Sequence, residues 1–196
     1  MVMRIMVAAL FGVLFYFGAF LLPQSIGFSK AKQKSLDFIG RGDITEFGKV
    51  DTLLVPDSVV IDEKGELEKE AVEIVTMIGQ NNVQTVLMTE KDKNTGDEMA
   101  RRLGAVKTYC GTSDYMSVIK ELEAEGKNVL YAEGLWDAEA AVELGKTVKS
   151  AIKTNIIWTL ICGIGGVITA SNIGVVISVA LQLAVLTYTS LKIKKE

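Results

Sequence analysis

Two long stretches of this chain, residues 5–29 and 154–191, carry no charged residue. A helix that crosses the hydrocarbon of a bilayer needs about 20 mainly apolar residues. The first stretch therefore predicts one transmembrane helix within residues 1–23. The second is too long for a single span and divides into 154–170 and 173–191, around Ala170-Ser171-Asn172, where Ser and Asn favour a reversal. Residues 24–153 form a polar middle domain, large enough for one core, and residues 192–196 a short tail.

Nearly all the charge lies in the middle domain. With Arg4, Lys192, Lys194, Lys195 and Glu196 set aside, 17 basic and 23 acidic residues remain. That balance speaks against nucleic acid as a partner. The basic residues nearest the spans are Lys30, Lys32, Lys34 and Arg41 on one side, and Lys146, Lys149 and Lys153 on the other. The positive-inside rule then predicts a multi-pass protein of the cell (inner or plasma) membrane, with the middle domain and C-terminus cytoplasmic and the N-terminus outside. The rival reading of the N-terminus is a secretory signal peptide: Arg4, an apolar core, then small residues near Gly27-Phe28-Ser29. The apolar run is long for a signal core and a lysine cluster follows it, which favours the span.

The chain has no histidine, the commonest metal ligand and general base. Its two cysteines, Cys110 and Cys162, are far apart and form neither a metal-ligand spacing nor a disulfide framework. Within the middle domain strands and helices alternate. Strands are predicted at 50–55, 83–88, 106–109 and 129–132, and helices at 67–78, 95–103, 114–125 and 138–152, the last free to continue toward the second span. Thr95 and Glu98 are spaced as a capping box, and Gly126 stops the third helix. Such alternation implies a doubly wound parallel sheet.

Specific motifs sit on these elements. Gly48-Lys49-Val50-Asp51-Thr52-Leu53-Leu54-Val55-Pro56-Asp57-Ser58-Val59-Val60 resembles the phosphorylation strand of P-type cation ATPases, which runs into the motif DKTGT. In this register Pro56 stands at the phosphorylated Asp, Asp57 at the Lys and Val59 at the Gly. Val86-Leu87-Met88-Thr89-Glu90-Lys91-Asp92, with Thr95, Met99-Ala100 and Leu103-Gly104, resembles the pump pattern MLTGDN..TA..IA..LG. Thr89 matches its Thr, and Glu90 and Lys91 replace its Gly and Asp. The helix around Val118-Ile119 resembles a phosphorylation-domain segment whose phosphate-contacting Lys falls on Tyr115. Ala132-Glu133-Gly134-Leu135-Trp136-Asp137-Ala138 lies against GDGINDA: Glu133 replaces the first Asp, Trp136 the Asn, and Asp137 is kept. Pro23, followed by Phe38-Ile39-Gly40-Arg41-Gly42, is similar to the mid-membrane proline of the fourth pump helix. The closing spans resemble the last two helices of the heavy-metal class. There Gly163, Val179, Gln182 and Leu183 replace the membrane ligands, and Cys162 falls on a Tyr.

The resemblance implies a small haloacid-dehalogenase-like (Rossmann-like) α/β sheet fused to three transmembrane α-helices: a reduced, degenerate heavy-metal P-type ATPase. It lacks the actuator and nucleotide-binding domains, since little precedes the first span and only Asp62-Glu63-Lys64-Gly65 joins the first strand region to the first helix. Acyl-phosphate chemistry needs a carboxylate nucleophile, a neutralising cation and acids that hold Mg²⁺. Pro56, Lys91, Tyr115 and Trp136 break that set. The expectation is therefore no enzyme and no cofactor. It is an inactive accessory, regulatory or scaffold subunit linked to metal-cation transport, in contact with membrane lipid and with a protein partner such as a transport ATPase or a second copy. The alternatives are a transport component of a larger assembly, or a small membrane-bound Mg²⁺-dependent phosphatase of haloacid dehalogenase type. The phosphatase would use Asp57, Thr89, Glu133 and Asp137, with Glu133 and Asp137 as the Mg²⁺ pair. The plainer expectations are Asp57 as a turn residue after Pro56, and Glu133 or Asp137 paired with Lys91. In the membrane they are Pro23 as a helix irregularity, and Cys162, Gln182 and the glycines 12, 18, 163, 165, 166 and 174 as packing and hydrogen-bonding positions.

Overall fold

The computed structural model describes residues 2–34, 44–169 and 172–195. In chain order the elements are α1 (Val2–Val13), a π-helical segment (Leu14–Leu21), α2 (Leu22–Gln33), α3 (Ile44–Phe47), β1 (Thr52–Pro56), a 3-10 turn (Asp57–Val59) and α4 (Lys69–Gln80). There follow β2 (Gln84–Thr89), α5 (Lys93–Leu103), β3 (Lys107–Cys110), α6 (Tyr115–Ala124), β4 (Val129–Tyr131), α7 (Leu135–Thr169) and α8 (Asn172–Lys195). The chain divides into an α/β unit, Lys49–Glu143, and a helical unit, Met1–Gly48 with Leu144–Glu196. The expected turn at Ala170-Ser171 and the segment Phe38-Ile39-Gly40-Arg41-Gly42 lie outside the described residues.

The α/β unit is a four-stranded parallel sheet in the order β3-β2-β1-β4. Successive side chains of a strand point to opposite faces, and here both faces are covered. Leu53, Val55 and Leu87 meet Ile74 and Ile78 of α4, Met99 and Leu103 of α5, and Leu135 and Val142 of α7. Leu54, Val86 and Met88 meet Val118 and Leu122 of α6. This explains why β1 and β2 read as unbroken apolar runs rather than alternating ones. Leu53, Leu54 and Leu87 are fully buried, each worth about 1.5–3 kcal/mol of transfer free energy.

Helix starts follow side-chain chemistry. α5 begins ahead of the expected Thr95, because the Asp92 carboxylate caps it. That carboxylate accepts from the backbone N–H groups of Asn94 and Thr95 and from the Thr95 hydroxyl at 2.7 Å. Thr95 is thus a partner of the cap and not the cap itself. α5 then lies close to the sheet at Gly96, where a Cβ would meet Cys110 Sγ at 2.5 Å and Thr89 Cγ2 at 3.0 Å.

Pro56 has a structural use that its sequence register hides. Ala132 donates its N–H to the Leu54 carbonyl, so Leu54 faces β4. By the alternation of a strand Pro56 faces β4 as well. Proline has no N–H to continue that ladder. The β1–β4 register accordingly stops at Leu54–Tyr131, while the β1–β2 register continues to Pro56–Met88.

In the helical unit, Pro23 sits in the first turn of α2, directly after the π-helical segment. A proline cannot donate to the carbonyl four residues back and its ring clashes there. The wider turn relieves both problems, and Leu22 donates its N–H to Phe17 O instead. Two helices are long and apolar enough to cross a membrane by length and composition, Ala8–Gln33 and Ile173–Lys195. Only 17% of the most apolar stretch of each is buried, so their large side chains, such as Phe17, Ile173 and Val176, face outward. Of the expected third span, 154–170, the described residues 154–169 are the C-terminal part of the 35-residue α7, and three crossings are not shown. Glycine packing is selective. A Cβ on Gly18 would meet Leu186 Cδ1 at 2.7 Å, one on Gly163 would touch Phe11 at 3.5 Å, and one on Gly12 would meet nothing within 4 Å among the described residues. Cys162 is buried against Phe11. Gln182 is fully buried and its Nε2 donates to Thr159 Oγ1 at 2.5 Å.

Candidate active site

The carboxyl ends of parallel strands are where open α/β sheets bind ligands, and here that edge is polar. β1 delivers Asp57 at the first position of its 3-10 turn, whose backbone carbonyl accepts from Val60 and Ile61. β2 ends on Thr89. The Thr89 hydroxyl donates to Asp57 Oδ2 at 2.5 Å and accepts from the Lys91 N–H at 3.1 Å. A hydroxyl that accepts from an N–H directs its single proton elsewhere, here onto the carboxylate. After β3 the chain turns at Gly111, whose φ of +71° suits glycine. Gly111 and Thr112 then bond back to the carbonyls of Lys91 and Thr89 at 3.1 and 3.2 Å. Those bonds set Thr112 and Ser113 beside the β2 end.

These residues surround a pocket of about 560 Å³ lined by Pro56, Asp57, Ser58, Met88, Thr89, Glu90, Lys91, Thr112, Ser113 and Tyr131. Asp57 does occupy a turn, as expected. Its side chain nevertheless meets Thr89, because the chain leaves strand geometry at that residue. Tyr115 reaches the pocket only through Tyr131: the two rings stack with centroids 4.6 Å apart and planes 23° apart. Burial pushes the Tyr131 phenol up, and the Glu133 carboxylate and Tyr115 push it further, so it stays a neutral hydroxyl.

The other expected positions lie elsewhere. Glu133 and Asp137 are exposed and do not line the pocket. The Asp137 carboxylate lies over Gly134, 3.6 Å from where a Cβ there would be. Trp136 is 54% exposed. The Lys91 ammonium points to Met99 Sδ at 3.6 Å rather than to the expected carboxylates. Sequence reasoning missed Ser58, Thr112, Ser113 and Tyr131. The signal for two of them was present, in the polar run Gly111-Thr112-Ser113-Asp114 directly after a strand.

No known family's sequence pattern matches the chain, and no curated protein matches it. Solved structures do. A probable YrbI-family phosphatase from Pseudomonas syringae pv. phaseolica is 19% identical over 45% of this chain and 59% of its own, with a TM-score of 0.37. The 3-deoxy-D-manno-octulosonate 8-phosphate phosphatase of Moraxella catarrhalis, solved with magnesium, phosphate and KDO, is 14% identical over 46% of this chain and 62% of its own, with a TM-score of 0.37. The cobalt-bound deoxy-D-mannose-octulosonate 8-phosphate phosphatase of Haemophilus influenzae is 13% identical over 44% and 59%, with a TM-score of 0.36. The similarity thus spans less than two thirds of those chains. None of the three is a cation pump, and the pump assignment remains a resemblance of motifs.

Two expectations are corrected. The reading of the chain as a non-enzyme is withdrawn: a carboxylate stands one residue beyond Pro56 at the mouth of a polar pocket. The expectation of no cofactor is withdrawn with it. The residues present also fit Mg²⁺, which takes one or two carboxylates and completes its shell with waters and substrate phosphate. Asp57 and Glu90 line one pocket together with Ser58, Thr89, Thr112 and Ser113. Among the described residues no group of three or more His, Cys, Asp or Glu makes an all-protein cage.

Proposed function

We propose that the α/β unit is a small Mg²⁺-dependent phosphatase of the haloacid dehalogenase type, carried by a membrane-associated helical unit. The observation that supports this reading is the Thr89–Asp57 hydrogen bond at the carboxyl edge of the sheet, inside the hydroxyl-lined pocket. Asp57 is the nucleophile. Its Oδ2 is held by Thr89, which leaves Oδ1 to attack phosphorus; the ester P–O bond breaks, the departing alkoxide takes a proton from water, and the aspartyl phosphate so formed is then hydrolysed by water. Lys91 lines the pocket and, on turning its ammonium from Met99, supplies positive charge for the equatorial phosphoryl oxygens, while Ser58, Thr112 and Ser113 supply hydrogen bonds to them. Asp57 and Glu90 are the carboxylates that would hold Mg²⁺, which neutralises phosphate charge when bound. Glu133 and Asp137 lie outside the pocket, and Glu133 bears on it only by raising the Tyr131 phenol through its charge.

The membrane reading is supported by the basic helix ends. Lys30 Nζ, in the last turn of α2, donates to Lys194 O at the end of α8 at 2.8 Å, so both apolar helices end on one side. Two such helices need a return crossing between them, for which the C-terminal part of the 35-residue α7 is available. Lysines on that side make it cytoplasmic.

The test is hydrolysis of a small phosphate ester by the full chain in detergent, with and without Mg²⁺. Turnover that requires Mg²⁺ and disappears in Asp57→Asn is expected. Turnover that survives Asp57→Asn, or is absent from the wild-type chain, overturns the reading.

A further inference from the structure

The pocket is two-faced. Asp57, Ser58, Thr89, Lys91, Thr112 and Ser113 give it a charged and hydroxylated side, and Pro56, Met88 and Tyr131 an apolar one. At about 560 Å³ it has room for an organic group beside a phosphate, since ligand sites of this size enclose small molecules. Tyr131 is not a loose side chain. Its ring is backed by that of Tyr115 in a near-parallel stack, and Tyr115 in turn is held by the start of α6, which Asp114 caps through the Ser117 N–H at 3.1 Å. A ring fixed on one face and presented to a pocket is a preorganised platform for a second flat ring. Catalysis at Asp57 does not account for this stack, because a phosphoryl group alone has nothing to place against it.

We infer that the substrate is a phosphate ester carrying a planar aromatic group, which packs along the Tyr131–Tyr115 stack while the phosphate sits at Asp57 and Lys91. This rests on the phosphatase reading of the same pocket, but its test does not need turnover. Phenylphosphonate and methylphosphonate carry the same phosphoryl oxygens and cannot be hydrolysed as esters. Their affinities for the full chain in detergent are compared by calorimetry, in wild type and in Tyr115→Leu, which keeps an apolar contact but removes the backing ring. Preference for the phenyl compound of about 10-fold is expected, from the usual strength of an aromatic pair, and Tyr115→Leu collapses that ratio. Equal affinities in wild type, no binding of either compound, or a ratio unmoved by Tyr115→Leu each overturn the inference. Hydrolysis of ethyl and phenyl phosphates run beside it separates the two readings. If both esters are hydrolysed through Asp57 at the same rate, the phosphatase stands and the aromatic preference falls.

Discussion

Thr89 Oγ1 donates a hydrogen bond of 2.5 Å to Asp57 Oδ2 while accepting one from the Lys91 N–H at 3.1 Å. Residues 32 apart in sequence are thereby locked at the ends of adjacent strands. A hydrogen bond to a charged group is worth about 1.5–3 kcal/mol. Replacing Thr89 by Val, which keeps the shape and removes the hydroxyl, is therefore expected to lower kcat/KM for phosphate-ester hydrolysis by roughly 10- to 100-fold. Thr89→Ser restores most of it. Equal activity in Thr89→Val and wild type would show that the bond has no part in the reaction.

At the opposite edge of the sheet, Asp51 ties the start of β1 to the turn before β4. It accepts from the Asn128 N–H and Nδ2, both at 3.1 Å, and from Thr52 Oγ1 at 2.8 Å. Burial pushes its carboxyl up, but the bonds from Thr52 and Asn128 outweigh that and hold it below the usual 3.8. A carboxyl depressed in the folded state adds stability above its unfolded value and loses it as pH falls through the folded one. Denaturant unfolding should therefore show stability declining from about pH 4 downward. Asp51→Asn should make that decline shallower, and an unchanged slope would remove Asp51 from the acid response.

Gly145 of α7 lies against the turn at Gly48, where an added Cβ would sit 2.5 Å from Gly48 N and 2.7 Å from Phe47 Cβ. Backbone cannot yield as a side-chain tip does, so Gly145→Val is expected to destabilise the helical unit by about 1–3 kcal/mol or more. Gly12, with nothing among the described residues within 4 Å of its added Cβ, is the contrast. Gly12→Ala should be neutral or slightly stabilising in a helix. Melting temperatures in one detergent would compare the two, and similar losses would refute the packing argument.

Gln182 and Thr159 are buried partners between α7 and α8, and Thr159 also donates to the Asn155 carbonyl at 2.7 Å. Among the described residues Gln182 Oε1 has no partner, nor does Asn155 Nδ2. Replacing Gln182 by Leu thus removes one bond together with one unpaired acceptor. Interhelical bonds among apolar helices average about 0.6 kcal/mol, so Gln182→Leu is expected to change unfolding free energy in detergent by less than ~1.5 kcal/mol. A loss of several kcal/mol would mean that Gln182 holds more than Thr159.

Much of the α/β unit was legible locally. The apolar runs of β1 and β2, the Gly126 stop and the alternation of strands with helices follow from side-chain size and period. The start of α5 was misplaced because Thr95 satisfies a capping pattern that Asp92, with its stronger acceptor, overrides. Pro56 is a different case: register against a motif counts residues, and by that count Pro56 stands at the nucleophile and Asp57 one position past it. The 3-10 turn changes the direction of the backbone at Asp57, which a count of residues does not register.

The chain's own composition determined that two apolar helical stretches flank a charged α/β segment, because the cost of exposing or burying each residue is a local property. Which carboxylate meets which hydroxyl was decided only by the sheet. The pairing of Pro56 with Met88, and its lack of an N–H toward β4, end β1 where Asp57 can turn to Thr89. The same three-dimensional placement took Glu133 and Asp137 out of the pocket, and brought in Thr112, Ser113 and Tyr131. Such meetings depend on strand order and on where each ladder stops, which are properties of pairs of segments and not of either one.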